Sequence, residues 1–88
     1  MSTTMHRVAL KAAALSATGE AASLEVRTCK AMTAWETARQ ENDPRREAAA
    51  KTAYQELRAQ AGAALAEEEA AWMAWGAAQA IWEDAQKL

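Results

Sequence analysis

An 88-residue chain with a net charge of −2 and an isoelectric point near 5.4 suits one domain and argues against a general grip on nucleic acid. Twenty-six residues are Ala and only nineteen are larger apolar side chains, so a core built by two helices stays thin. Three Gly, one Pro, no Phe and no β-branched alternation exclude a sheet and leave an all-α fold.

The first arm, about residues 3–41, carries small or apolar residues at 3-4-3-4 spacing: Met5, Val8, Ala12, Leu15, Gly19, Ala22, Val26 and Cys29. This is the pattern of a coiled-coil seam. Arg7, Lys11, Glu20, Glu25, Arg27 and Lys30 lie off it. Toward the turn the stripe drifts, and Met32 and Trp35 replace Thr33 and Glu36. Met5, Val8, Leu15, Val26 and Cys29 are therefore expected in the hairpin core. The weak stretch is Ser16-Ala17-Thr18-Gly19. Gly costs about 1 kcal/mol relative to Ala in a helix interior, and Ser or Thr beside it can cap a new helix near Glu20. Either one helix runs through Gly19, whose lack of a side chain permits close packing on the seam, or the arm breaks there and the domain has three helices.

Asn42-Asp43-Pro44 reverses the chain. Pro44 has no N–H and a fixed φ, which suits the first position of a helix and no interior position. Asp43 accepts from an orphan N–H of the next turn and places negative charge at the helix start. The residue before Pro is pushed out of the α region, which ends the incoming helix. A single domain over residues 1–88 follows: a long antiparallel helical hairpin with a coiled-coil-like, Ala-rich seam.

The second arm runs from Pro44 to about Lys87, some 65 Å at about 1.5 Å per residue. Its stripe is Tyr54, Leu57, Ala61, Leu65 with Ala64, Glu68, Trp72 with Ala71, Trp75, Ala78 and Trp82. Tyr54, Leu57, Leu65 and Trp75 join the expected core. Ala50, Ala64, Ala71, Ala78 and Ala85 recur at sevenfold spacing, with Leu57 between them, and let two helices approach closely. Facing residues have numbers summing to about 87, which sets Trp75 against Ala12, Trp82 against Met5, Leu57 against Cys29, Tyr54 against Met32 and Glu68 against Gly19. Large side chains then mostly meet small or flexible ones. Residues 1–58 carry a net +2 and residues 59–88 a net −4, so folding back brings opposite charges together.

Trp72, Trp75 and Trp82 share one face and read first as core. Trp is also enriched in binding anchors. Ala70, Met73, Ala74, Ala77, Ile81 and Leu88 form a second apolar stripe roughly opposite. A helix apolar all round is buried on more than one side, and one hairpin partner covers only one. Trp72, Met73, Ala77, Ile81, Trp82 and Leu88 are the candidate partner-binding residues. Glu67-Glu68-Glu69 reads as a solvated turn, with Glu68 on the seam as a register device. Arg45-Arg46 reads as a solvated basic tip. His6 has no ligand-spaced companions and Cys29 has no nearby His, so neither a metal site nor a nucleophile is expected. The sequence carries no phosphate loop or acid–base constellation.

The expectation is a non-enzymatic protein-binding module without cofactor, a small regulator or inhibitor that docks a helical surface on another protein. The alternative is a structural homodimer forming a four-helix bundle. A membrane-surface helix is the weaker alternative, because the apolar carboxyl region is acidic rather than basic. One Cys makes no internal disulfide, and no leader or spanning run opens the chain, so a cytoplasmic setting is expected. The Ala-rich, Ile- and Asn-poor usage resembles a high-GC bacterial or phage gene.

Overall fold

Two helices account for the fold, α1 (Ser2–Gln40) and α2 (Pro44–Gln86), packed antiparallel along their length in a computed structural model that describes residues 2–87. The hairpin measures 68 × 15 × 13 Å. Ala, Glu, Gln, Lys, Arg and Leu fill both helices, and their high propensity sustains them over this length. Of the two architectures left open by Gly19, the continuous one is observed: α1 passes through Ser16–Gly19 without a break.

The reversal is tighter than the proline alone accounts for. Asn42 takes the left-handed conformation at φ 54°, which Asn tolerates better than most residues with a side chain. The Asn42 N–H donates to the Arg39 carbonyl at 3.2 Å and the Asp43 N–H to the Ala38 carbonyl at 3.0 Å. This paired closure of the last turn is the Schellman arrangement, with Asn where Gly is more usual. Asp43 then caps α2, its Oδ1 accepting from the Arg46 N–H at 3.1 Å, and Pro44 opens the helix. One residue thus closes α1 through its backbone and starts α2 through its side chain.

The seam lies on a different face of α1 from the one expected. Facing α2 is the frame Arg7, Leu10, Ala14, Ala17, Ala21, Leu24, Thr28, Ala31, Trp35 and Ala38, all buried or half-buried. Ala14, Ala21, Leu24 and Ala38 are its buried members. This frame is displaced by two residues, about 200° of rotation at roughly 100° per residue, from the Met5–Cys29 stripe. Met5, Val8, Leu15, Val26 and Cys29 are all exposed, and their assignment to the core is corrected. Gly19 is exposed too, with nothing within 4 Å of where a Cβ would stand, so close packing inside the hairpin does not account for it. In α2 the expected stripe holds for Tyr54, Leu57, Ala61, Ala64, Glu68, Ala71, Trp72, Trp75, Ala78 and Trp82, which are buried or half-buried. Leu65 turns outward and is 42% exposed, and Ala85 is exposed as well.

The observed face carries Ala14, Ala17, Ala21, Ala31 and Ala38, buried or half-buried, which let the two helices approach closely, while the α2 indoles meet Thr18, Lys11 and Arg7. Ala21, Leu24, Ala61 and Ala64 form the closest-packed cluster, with Leu57 against it. Several polar groups at the seam find partners, although the buried Arg7 Nε and Trp35 Nε1 have none among the described residues. The Trp72 indole donates to Thr18 Oγ1 at 2.9 Å, and Thr28 bonds back to the Leu24 carbonyl at 2.7 Å. Arg7 donates to Gln79 Oε1 at 2.9 Å while its guanidinium lies 4.0 Å from the centre of the Trp82 ring. An all-apolar stripe is therefore unnecessary for the seam.

The register itself agrees with the expected pairing even though the facing side chains do not. Trp82 meets Arg7 in place of Met5, and Lys11 in place of Ala12 lies 5.6 Å over Trp75. Tyr54 stacks on Trp35 at 5.7 Å, with Met32 beside both in a shallow groove. Leu57 packs on the Ala21–Leu24 cluster and not on Cys29. Glu68 shares a groove with Thr18 and Ala21 and not with Gly19. The Trp82, Trp75, Tyr54 and Glu68 pairs sit near the anticipated level along the hairpin, rotated about the α1 axis.

Candidate functional site

With the seam placed, α1 carries an apolar stripe that no other described residue covers. Met5, Val8, Leu15 and Val26 are between 55% and 71% exposed, and Cys29 is exposed at the end of the same line. Ala12, Gly19 and Ala22 fill the intervening positions and are exposed as well. Apolar residues are consequently spread around α1 rather than gathered on one side. Scattered exposed apolar residues are ordinary, whereas these form a continuous row along one helix. Between Val26 and Thr33 the row widens into a shallow groove lined by Ala22, Glu25, Val26, Cys29, Lys30 and Thr33.

The far end of α2 contributes less than its composition implies. Met73, Ala77 and Ile81 are exposed, Met73 and Ile81 at about two-thirds of their surface. Trp72 and Trp82, grouped with them from the sequence, are half-buried on the seam and engaged with Thr18 and Arg7. Trp72 and Trp75 meet edge to face at 5.8 Å, an arrangement that adds to their burial. Leu88 lies outside the described residues. The outward face of this region is thus Met73, Ala77 and Ile81 without the indoles.

Electrostatics divide between the two ends of the hairpin. Near the tip, Arg46 pairs with Glu41 at 2.6 Å and Arg39 with Glu47 at 3.4 Å, both exposed. Arg46 is therefore a turn-stabilising partner, and Arg45 is exposed beside it. Toward the termini, cations of α1 rest on indoles of α2 instead of on its carboxylates, Arg7 on Trp82 and Lys11 on Trp75. Trp35 is flanked by Arg39 at 5.4 Å and Lys51 at 5.9 Å, and its buried Nε1–H has no partner. The ends of the molecule are joined by cation–π contacts of about 0.5–1 kcal/mol each.

Among the described residues no three His, Cys, Asp or Glu side chains stand close enough together to hold a metal ion. No helix is long and apolar enough to cross a membrane. What the surface offers is apolar contact along one helix with charged residues at its margins. Lys11 and Glu25 flank the row on its seam side, and Glu20, Arg27 and Lys30 lie nearby on other faces of α1. No family model matches the sequence, and no curated protein or solved structure is similar to it.

Proposed function

We propose that the chain is a non-enzymatic protein-binding module that acts through the exposed apolar row of α1, in the manner of a small bacterial or phage regulator or inhibitor. The observation that carries this reading is the position of Met5, Val8, Leu15 and Val26, four large apolar side chains in register and more than half exposed. In water each is worth about 1.5–3 kcal/mol on full burial, so a helix or groove laid against the row gains most of its binding energy there. The margins of the row are charged, which suits orientation and on-rate more than strength.

The test is the double substitution Leu15→Glu with Val26→Glu, read first by circular dichroism and then by capture with the tagged chain. Both positions are exposed, so helicity is expected to persist while stoichiometric protein partners, its own copies included, are lost. Binding must be re-established between purified components for the wild-type chain. A helical double variant that retains every partner of the wild type would overturn the reading.

A further inference from the structure

We infer that the occupant of the α1 row is a second copy of this chain, laid antiparallel across it with the two-fold axis beside Ala17. The inference rests on the reading of the row as a binding surface and names what binds there. The row is symmetric about residue 17 in spacing, and its Ala and Val pairs match in size. Leu15 and Gly19 lie two residues on either side of it, Ala12 and Ala22 five, Val8 and Val26 nine, and Met5 and Cys29 twelve. Antiparallel pairing about this point places Leu15 of each copy on the partner's Gly19, Val8 on Val26, and Met5 on Cys29. Sliding one helix by a heptad in either direction leaves two of the eight positions without a counterpart.

Two further observations select the same register. Gly19, like Gly62 and Gly76, has open space where a Cβ would stand in the single hairpin, and its missing side chain weakens α1. In the paired arrangement it receives Leu15. Second, Lys11, which also reaches over Trp75 of its own hairpin at 5.6 Å, and Glu25 lie on the same margin of the row, seven residues either side of Thr18. The antiparallel pair opposes Lys11 of one copy to Glu25 of the other, twice per dimer. The neighbouring registers oppose Lys11 to Thr18 or to Met32, and lose this complementarity. Isologous contact of this kind closes on itself and gives a dimer, not a filament. Because the row points nearly away from the seam, the two α1 helices lie at the centre with each α2 outside, an extended four-helix layer in contrast to a closed bundle.

The single exposed cysteine reports the arrangement. In the antiparallel dimer the two Cys29 residues stand about 36 Å apart at about 1.5 Å per residue, while Met5 of one copy faces Cys29 of the other. Sedimentation of the wild-type chain at micromolar concentration is expected to show a dimer. Mild oxidation with diamide is expected to leave the wild type uncrosslinked and to convert Met5→Cys into a disulfide-linked dimer joining positions 5 and 29. Lys11→Glu and Glu25→Lys should each weaken the dimer by about tenfold or less, and the double exchange should restore it, with helicity checked throughout. A monomeric wild type would overturn the inference and leave the protein-binding reading to a different partner. A dimer that crosslinks through Cys29 to Cys29 would overturn it in favour of parallel pairing.

Discussion

At Thr18 a hydroxyl accepts the Trp72 indole N–H at 2.9 Å across the seam, and the pair is half-buried. An unpaired indole at such a position loses its bond without regaining full hydration, whereas removing both partners together removes the demand. Thr18→Val alone is expected to destabilise the hairpin by about 1 kcal/mol, and Trp72→Phe alone by more, because it also removes ring contacts with Trp75. In the double variant the losses should sum to less than the two singles combined. Chemical denaturation of the four proteins gives the coupling directly, and strict additivity would place the indole's partner elsewhere. Arg7 acts on the same principle. Its stem and guanidinium cover Trp82 while one N–H reaches Gln79, so a charged residue occupies a seam position that an apolar reading excludes.

On the scale of the elements, the turn and the middle of α1 carry opposite expectations. Asn42 is held at φ 54°, where a residue with a β-carbon costs about 1–2 kcal/mol unless it is Asn or Asp. Asn42→Ala should lower stability by about 1 kcal/mol, and Asn42→Gly should match or exceed the wild type in thermal unfolding. Gly19 sits in ordinary helix with open surroundings. Gly19→Ala is expected to stabilise the isolated hairpin by up to about 1 kcal/mol and, by filling the space beneath Leu15, to weaken association. A destabilised monomer would return Gly19 to a close-packed seam. The sequence shows the turn well because Asp43 and Pro44 act locally, whereas the left-handed Asn42 emerges only from the bonds back to Ala38 and Arg39.

For the molecule as a whole, the hairpin, its pairing level and most of the face used by α2 are legible in the sequence, since Tyr54, Leu57, Trp72, Trp75 and Trp82 mark one side, while Leu65 on the expected stripe turns outward. The face used by α1 is not, for a physical reason. Two frames in α1 obey 3-4-3-4 spacing, one wholly apolar or small and one holding Arg7 and Thr28, and hydrophobic pattern alone favours the first. The distinguishing signal is continuity: the Met5 frame meets Thr33 and Glu36, while the Arg7 frame runs on through Trp35 and Ala38 to the turn. Choosing the second frame for the seam frees the first for a partner, and the candidate site follows from that exchange. The adjacent residues Ala14 and Leu15 separate the two frames, one fully buried and the other 55% exposed. Thermal unfolding of Ala14→Glu and Leu15→Glu, compared at the lowest concentration circular dichroism allows, tests the assignment most directly. Ala14→Glu should lose most of its cooperative unfolding while Leu15→Glu stays helical with a midpoint close to the wild type; the reverse order would contradict the placement of the seam.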